Sequence, residues 1–270
     1  MDLNPSPHDP ASAYLGGRSF DAWKQDFDER GFVIIENVLS ADEISAIRTV
    51  LAPWLDGGKL GRNDFEGLST NRVYALLAKG KVFADLAIHP LALAFAEADL
   101  GRSLLLSSCL AINLHPGETV QPWHYDDSPI RISRPRPPCG VSAFWAIDET
   151  TDCNGATEVI PGSHLWGDAT VTGDRADAVR LSMPAGSVAI AKGALWHRGG
   201  ANRSGEARLI ITPQYCPGWA RPLETMLLAV PPGIAVDLPE RARELLGYSI
   251  HPPFIGYVDG LHPKRRLEGL

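Results

Sequence analysis

Residues 121–127 read Gln-Pro-Trp-His-Tyr-Asp-Asp, and within this stretch His124 and Asp126 stand two positions apart. In a β-strand, residues i and i+2 point to the same face of the sheet, so an imidazole and a carboxylate at this spacing converge on one point. A divalent metal ion needs such a convergence of ligands. Because a lone His-x-Asp pair is frequent by chance, its meaning depends on the sequence around it.

A third metal-ligand candidate follows another apolar run. His197 comes directly after residues 194–196 and precedes a turn at Gly199–Gly200. Two histidines and one carboxylate form the facial triad of non-haem Fe(II) oxygenases, which leaves positions open for a chelating co-substrate and O₂. A structural zinc site would instead add a fourth protein ligand, often cysteine. No cysteine neighbours either histidine in the sequence, although Cys139 or Cys153 could approach them in the fold.

Arg208 lies in the apolar run that follows His197 and could point into the same cavity. A guanidinium there can bind a carboxylate through two parallel hydrogen bonds. This suits the distal carboxylate of 2-oxoglutarate, whose 2-oxo acid end would chelate the iron. Taken alone, Arg208 is typical of a solvated strand arginine, so the hypothesis depends on its combination with the triad.

The composition bounds the class of protein. The chain has 270 residues and a net charge of -7, with 44% hydrophobic and 21% charged residues. These values are ordinary for a globular protein and exclude a disordered chain or a coiled coil. The acidity disfavours a nucleic-acid partner, and no apolar run approaches the roughly 18 residues of a membrane span. Four widely spaced cysteines and the lack of a signal-peptide pattern predict a reduced, cytoplasmic protein.

Apolar periodicity predicts helices in the first part of the chain and short strands after residue 101. We expect a flexible lead-in over residues 1–18 and a single domain over residues 19–270. Helices are predicted to end at Gly31, to begin at a capping box at Ser40, and to span residues 82–100 and 238–246. Short apolar runs between turn residues predict the strands of a sandwich or barrel. These runs cover residues 32–35, 104–114, 140–147, 157–160, 187–191 and 207–215.

The same stretches resemble the phytanoyl-CoA dioxygenase family of Fe(II)- and 2-oxoglutarate-dependent oxygenases, over the chain from about residue 20 to its end. The matching residues are His124–Asp126, the run Asn154–His164, and His197 with Gly200–Asn202 and Arg208. The run from 154 to 164 reads Asn-Gly-Ala-Thr-Glu-Val-Ile-Pro-Gly-Ser-His and is the family's most specific signature. Residues 246–254 look like a bacterial subgroup of the family.

The resemblance implies a mainly β, α+β fold, with a cupin-like double-stranded β-helix (jelly-roll) core, flanking N-terminal helices and a C-terminal helix. It assigns iron to the three ligand candidates and the distal carboxylate of 2-oxoglutarate to Arg208. Gln121 and Thr157 match positions that contact 2-oxoglutarate in several members. Related halogenases carry a small residue in place of the carboxylate ligand, so the presence of Asp126 disfavours halogenation.

Candidates for substrate contact come from several places. Arg72 and Tyr74 belong to the part that covers the mouth of the site in relatives, and are lid or substrate candidates. Trp145 is a further candidate, among aromatic residues that we expect to lie mostly in the core. The proline-rich loop over residues 131–138 carries three arginines. It fits either a solvated basic loop or a rim that attracts an acidic substrate.

Two residues near the ligand candidates are expected to have no part in metal binding. His164 ends the signature run and is expected to be structural. Asp127 follows Asp126, so it would point to the opposite face of a strand as a solvated or capping carboxylate.

The leading hypothesis is an Fe(II)- and 2-oxoglutarate-dependent dioxygenase that uses O₂ to hydroxylate a C–H bond of a small organic substrate, with release of succinate and CO₂. Desaturation, epoxidation and ring formation use the same machinery and remain alternative outcomes. Two other functions stay open, namely a jelly-roll protein that binds a metal or small molecule without turnover, and a zinc hydrolase with the same ligands. We expect a monomer or a homodimer.

Overall fold

The strands of the chain form two antiparallel sheets in a computed structural model that describes residues 9–269. The strands are β1 (Phe32–Ile35), β2 (Thr70–Val73), β3 (Leu105–Leu114), β4 (Val141–Ala146), β5 (Glu158–Val159), β6 (Val179–Arg180), β7 (Val188–Lys192), β8 (His197–Arg198) and β9 (Arg208–Cys216). The larger sheet has the order β1-β7-β4-β9-β3-β2, and the smaller has the order β6-β5-β8. Together they form the predicted double-stranded β-helix.

Helices flank the larger sheet. They are α1 (Phe20–Arg30), α2 (Ala41–Leu55), α3 (Lys81–Ala87), α4 (Pro90–Leu100), α5 (Met226–Ala229), α6 (Pro232–Ala235) and α7 (Glu240–Leu246). Short 3-10 helices cover Asp9–Tyr14, Leu76–Ala78, Ser163–Leu165 and Pro263–Leu267. Side chains from α1–α7 and from the outer face of the larger sheet share one hydrophobic core. The inner face of that sheet is therefore left to line the cavity.

Strand β9 shows how the larger sheet divides these two environments. Successive strand residues point to opposite faces. Its odd-numbered residues Leu209, Ile211 and Tyr215 belong to the core beneath the helices. Its even-numbered residues line the cavity, and they are Arg208, Ile210, Thr212 and Gln214. One strand thus supplies both the packing that fixes the sheet and a row of side chains for the site.

Strand β3 pairs with β9 and contains a bulge. Leu106 pairs with Tyr215 and Ser108 pairs with Gln214, so Ser107 is an extra residue without a partner on β9. A bulge of this kind shifts the phase of the alternation along the strand. For this reason Leu106 lies in the helix-covered core, whereas Ser108 lines the cavity.

The predicted helices are confirmed in part. Helix α1 ends at Gly31, which has a left-handed backbone with φ of 83°, and α2 begins with the capping box at Ser40. The single helix expected over residues 82–100 is wrong, because the chain forms α3 and α4 with a break between them. Pro90 has no N–H to donate and disfavours helical backbone at His89, which is extended with ψ of 129°.

Every apolar run that was predicted as a strand contains one, but β2, β6 and β8 were not predicted. The last helix, α7, begins after Pro239 rather than after the expected Asp237, and it ends at Gly247 as predicted. Among the described residues, no helix combines the length and the apolar character needed to cross a membrane.

The flexible lead-in predicted over residues 1–18 is described by the structure only from residue 9 onward. Residues 1–8 lie outside the described part of the chain. Residues 9–14 form a 3-10 helix that contacts α4, and Ala11 and Leu15 are buried in the core. The portion from residue 9 onward is therefore packed against the domain, and the flexible lead-in predicted there is wrong for these residues.

Candidate active site

The side chains of His124, Asp126 and His197 meet in the cavity between the two sheets, as the sequence predicted. One potential ligand atom from each lies within 4.8 Å of the other two. Asp126 Oδ1 is 3.5 Å from His197 Nε2 and 4.0 Å from His124 Nε2. Among the described residues, no cysteine joins this cluster, so the donor set fits an open facial triad better than a closed zinc site.

The positions of the three ligands come from a backbone pair and a turn. His124 and His197 form an isolated antiparallel bridge, in which each N–H donates to the carbonyl of the other. Asp126 lies in the turn that follows, where the N–H of Ser128 donates to the carbonyl of Tyr125 at 3.1 Å. The side chains of His124 and Asp126 converge as predicted. The orientation of the Asp126 carboxylate, however, is set by a turn and not by a continuous strand.

The hydrogen bonds of the two imidazoles determine which ring nitrogen can bind a metal. His124 Nδ1 is 3.0 Å from the carbonyl oxygen of Pro122, and His197 Nδ1 is 3.0 Å from that of Leu195. Since a carbonyl can only accept, each Nδ1 carries the proton and each Nε2 keeps its lone pair for the metal. Burial, followed by the nearby His197, lowers the pKa of His124 to about 4, so this ring is neutral at pH 7.

Ser142 orients the carboxylate ligand and was not predicted. Its hydroxyl donates to Asp126 Oδ2 at 2.5 Å, which leaves Oδ1 facing the histidines. The ring of Phe65 packs edge-on against His124 at 4.9 Å, and Phe144 packs edge-on against His197 at 5.6 Å. A serine in an otherwise apolar strand, two residues before Phe144, is the signal that could have pointed to Ser142.

Arg208 is buried at the start of β9 with much of its guanidinium unused. Its Nη2 donates to the carbonyl of Gly155 at 2.5 Å, while Nε and Nη1 have no hydrogen-bond partner among the described residues. Burial lowers the pKa of Arg208 to about 10, so the group is still charged at pH 7. Because a buried charge without a partner is strongly unfavourable, this guanidinium fits an anionic ligand such as the distal carboxylate of 2-oxoglutarate.

Glycine is required where Arg208 meets the backbone. Gly155 has a left-handed backbone with φ of 87°. A Cβ atom there would overlap the side chain of Leu114 and lie 2.9 Å from the carbonyl oxygen of Gly200. The close approach of these segments holds the Gly155 carbonyl against the guanidinium, and this explains the glycine in the signature run.

The cavity that contains these groups has a volume of about 500 Å³, which is typical of sites for small organic ligands. Thr157 lines it, as does Gln121. The Gln121 amide accepts from the N–H of Gly199 at 3.0 Å and donates to the carbonyl of Phe65 at 2.8 Å. Gln121 thus ties together two backbone segments, and contact of Gln121 and Thr157 with 2-oxoglutarate stays a prediction.

Residues 64–67, here called the strap, form one wall of the cavity beside the triad. Arg72 holds the strap, because its Nε donates to the carbonyl of Glu66 at 2.7 Å and its Nη2 donates to that of Phe65 at 3.2 Å. Tyr74 also lines the cavity and is half exposed. The two lid or substrate candidates are therefore both at the cavity, with Arg72 engaged in positioning the strap.

Trp145 does not line the cavity, contrary to the expectation that it contacts substrate. Its neighbour Phe144 faces the cavity, and the alternation of β4 turns Trp145 to the opposite face. There it is fully buried, with its ring edge-on to His89 at 4.9 Å. Trp145 is a core residue.

Two of the three arginines of the loop over residues 131–138 are engaged within the protein, and the third, Arg131, is exposed. Arg134 is buried, stacks on Tyr125 at 4.6 Å and donates to two backbone carbonyls. Arg136 pairs with Asp127 at 2.6 Å. Asp127 is only 5% exposed, so the solvated carboxylate expected there is wrong as well. These two guanidinium groups fix the loop to the domain and are not free to attract an acidic substrate.

Comparison with known proteins identifies the family. The profile of the family described as Phytanoyl-CoA dioxygenase (PhyH) matches residues 27–210, which is more than half of the chain. The chain belongs to the phytanoyl-CoA dioxygenase family. As a member of it, the chain is a 2-oxoglutarate-dependent non-haem iron dioxygenase, as predicted. Membership in the phytanoyl-CoA dioxygenase family also disfavours the zinc hydrolase and the binding protein without turnover.

Curated relatives carry the same general description. Dioxygenase FUM3 of Gibberella moniliformis is 27% identical over 85% of this chain and 81% of its own length. Dioxygenase trt7 of Aspergillus terreus is 28% identical over 90% of this chain and 89% of its own length. Both relatives are fungal, and the resemblance of residues 246–254 to a bacterial subgroup of the phytanoyl-CoA dioxygenase family stays a prediction.

Solved structures confirm the fold. The non-heme alpha ketoglutarate dependent carbocyclase SnoK from nogalamycin biosynthesis superposes with a TM-score of 0.60 at 23% identity, over 76% of this chain and 87% of that one. HygX from Streptomyces hygroscopicus, solved with nickel and 2-oxoglutarate bound, superposes with a TM-score of 0.63 at 16% identity, over 76% and 89%. This phytanoyl-CoA dioxygenase family member therefore shares its architecture with enzymes of that cofactor class.

Proposed function

We propose that this dioxygenase hydroxylates a C–H bond of a small organic molecule, with iron held by His124, Asp126 and His197. Arg208 would bind the distal carboxylate of 2-oxoglutarate. The observation that carries this proposal is that a buried, charged guanidinium with two unused nitrogens shares one cavity with three converging metal ligands. When bound, Fe(II) with 2-oxoglutarate and O₂ supplies the oxidising power, and succinate and CO₂ leave.

Each protein group has a defined task in this scheme. The protons on Nδ1 of His124 and His197 keep both Nε2 atoms available as ligands. The Ser142 hydroxyl holds Asp126 in place. Arg208 offers the unused N–H groups of Nε and Nη1 as charged hydrogen-bond donors to a carboxylate. The rings of Phe65 and Phe144 cover the two histidines with apolar surface, which limits the access of water to the reacting atoms.

We further propose that residues 19–270 form one domain, on which residues 9–18 also pack. It would act in the cytoplasm as a monomer or homodimer on a small molecule, without a nucleic-acid or membrane partner. A single core that contains residues from Ala11 to Leu267 supports the one-domain proposal. The net charge of -7 supports the exclusion of nucleic acid. The size of the cavity supports a small organic substrate.

The test is to replace His124 by alanine and to measure both Fe(II) binding and succinate formed from 2-oxoglutarate. We expect both to be lost. The matched control is His164→Ala, since His164 Nε2 donates to the carbonyl of Asp28 at 2.9 Å and the residue lies outside the triad. Full succinate formation by His124→Ala, or activity that needs Zn(II) and no O₂, would refute the proposal.

A further inference from the structure

The cavity has a second polar end, distinct from the Arg208 end. Along the paired strands β3 and β9, Leu114 lies opposite Arg208, whereas Ser108 lies opposite Gln214 at the other extreme. All four side chains line the cavity. Ser142, which holds the metal-ligand carboxylate, pairs with Gln214 on the other side of β9. The end near Gln214 is therefore the part of the cavity beyond the metal ligands, where a substrate has room.

The chain after β9 returns to this end and docks on the bulge of β3. The N–H of Leu223 donates to Ser107 Oγ at 3.1 Å, and the N–H of Glu224 donates to the Ser107 carbonyl at 2.8 Å. Bulges often re-aim side chains next to active sites. Here the unpaired residue of the bulge supplies both acceptors, and Glu224 is delivered to the cavity lining.

The carboxylate of Glu224 is only partly satisfied by the protein. Its Oε2 is buried and has no hydrogen-bond partner among the described residues. Burial raises the pKa of Glu224, while the N–H groups of Ala75 and Cys109 and the charge of Lys79 act to lower it. Thr212, on the same wall, has a buried hydroxyl oxygen that likewise lacks a partner in the described structure. Buried polar atoms without hydrogen-bond partners are rare in folded proteins. These two atoms therefore indicate a bound ligand that would supply the missing hydrogen bonds.

We propose that Glu224 binds a hydrogen-bond donor of the substrate, either a hydroxyl or an ammonium group, so that the enzyme acts on alcohols or amines rather than on free acids. A carboxylate can only accept hydrogen bonds, and it repels a second carboxylate. Two of the three loop arginines that could have attracted an acid, Arg134 and Arg136, are occupied by protein partners. This inference rests on the proposed function, because it assumes that the substrate lies beyond the metal ligands.

The experiment compares three probes that share one ring, namely cyclohexylmethanol, cyclohexylmethylamine and cyclohexanecarboxylate. Their dissociation constants from the Fe(II)- and 2-oxoglutarate-loaded protein are measured without O₂ by ligand-observed NMR. We expect the alcohol or the amine to bind at least about tenfold more tightly than the carboxylate. Glu224→Ala should weaken that binding about tenfold, which is the usual size of a hydrogen bond to a charged group.

Glu224→Gln distinguishes the two donor groups. Glutamine keeps an acceptor oxygen, so the affinity for the alcohol should stay within about threefold, whereas the amine should lose the attraction of the charge and bind about tenfold more weakly. The matched control is Glu149→Gln, which removes one negative charge from an exposed position outside the cavity. It should leave all three affinities unchanged.

The test of Glu224 and the test of the proposed function have different readouts, so either can fail without the other. Succinate formed by the wild-type protein without added substrate reports on the triad and Arg208, and it should be unchanged in the control Glu149→Gln. The inference is overturned if the carboxylate binds as tightly as the other probes, if neither the alcohol nor the amine binds, or if Glu224→Ala leaves every affinity unchanged.

Discussion

The N–H of His124 lies 3.0 Å from the carbonyl oxygen of His197, and the N–H of His197 lies 2.8 Å from the carbonyl oxygen of His124. This doubly bonded pair brings two imidazoles from distant parts of the chain to a ring separation of 4.3 Å. The backbone, not the side chains, sets their distance. Replacement of one imidazole should therefore leave the other in place, so that the effects of single substitutions report on ligation.

Replacement of Ser142 by alanine should weaken iron binding without removing a ligand. The hydroxyl of Ser142 fixes the orientation of the Asp126 carboxylate, and loss of such outer partners typically costs 10- to 100-fold in metal affinity. Anaerobic Fe(II) titration measures the effect. Ser108→Ala is the control, because Ser108 lines the same cavity without a hydrogen bond to a ligand. Equal affinities in the two variants would contradict the role given to Ser142.

Arg208→Lys should raise the KM for 2-oxoglutarate by about 10- to 100-fold while Fe(II) binding stays intact. Lysine keeps the charge but loses the planar fork, and a charge-assisted hydrogen bond contributes about 1.5–3 kcal/mol. Succinate formation at varied 2-oxoglutarate measures the change. Arg203→Lys is the control at an exposed position. A KM that stays at the wild-type value would show that the carboxylate binds elsewhere.

Arg72→Ala should release the strap. It removes the donors to the carbonyls of Phe65 and Glu66, so amide hydrogen exchange over residues 64–67 should accelerate by about tenfold or more. The comparison is Arg62→Ala, which removes only a surface ion pair with Glu66 and should change exchange by less than about fivefold. Similar rates in both variants would argue that Arg72 does not hold the strap.

His89 should make the metal-free protein less stable in mild acid. Burial lowers its pKa to about 4, whereas an unfolded histidine has a pKa near 6.5. Its contribution to the free energy of unfolding is complete above about pH 6.5 and is lost as the pH falls toward 4, by at most about 3 kcal/mol. Denaturant unfolding at several pH values between 4 and 7 measures this slope.

The informative variant is His89→Asn. Asparagine retains an acceptor for the N–H of Leu91, which His89 Nδ1 accepts at 3.3 Å to cap α4, but it does not titrate. The slope between pH 4 and 6.5 should flatten, even though the variant is less stable overall. His262→Asn, which alters a similar cap at the surface, should keep the wild-type slope. A wild-type slope in His89→Asn would assign the acid sensitivity to other groups.

The long strands could be predicted from the sequence because each is an extended, largely apolar run between turn residues. Strands β3 and β9 both have this character. Strand β8 has two residues, His197 and Arg198, which is too short for any periodicity. Its position depends on pairing with β5, and His197 was predicted as a ligand from its residue type and the turn that follows it rather than from any strand pattern.

Residues whose partners are set by the fold rather than by a local sequence pattern could not be assigned. Arg136 and Asp127 are individually typical of solvated groups, and only the folded loop brings them to 2.6 Å. Glu224 depends in the same way on Ser107, which anchors it across more than a hundred residues. Trp145 is different, since strict alternation from Phe144 would have turned it away from the cavity.

Ser107, the extra residue of the β3 bulge, separates two parts of the site whose sequences could vary independently. On one side of it, β3 and β9 stay in register toward Arg208, and on the other the N–H groups of Leu223 and Glu224 donate to the hydroxyl and main-chain acceptors of that serine. A different sequence between Cys216 and Leu223 could keep the same anchor, while the helices that follow stay packed in the core. The site could then act on different substrates without any change in the residues that would bind iron and 2-oxoglutarate.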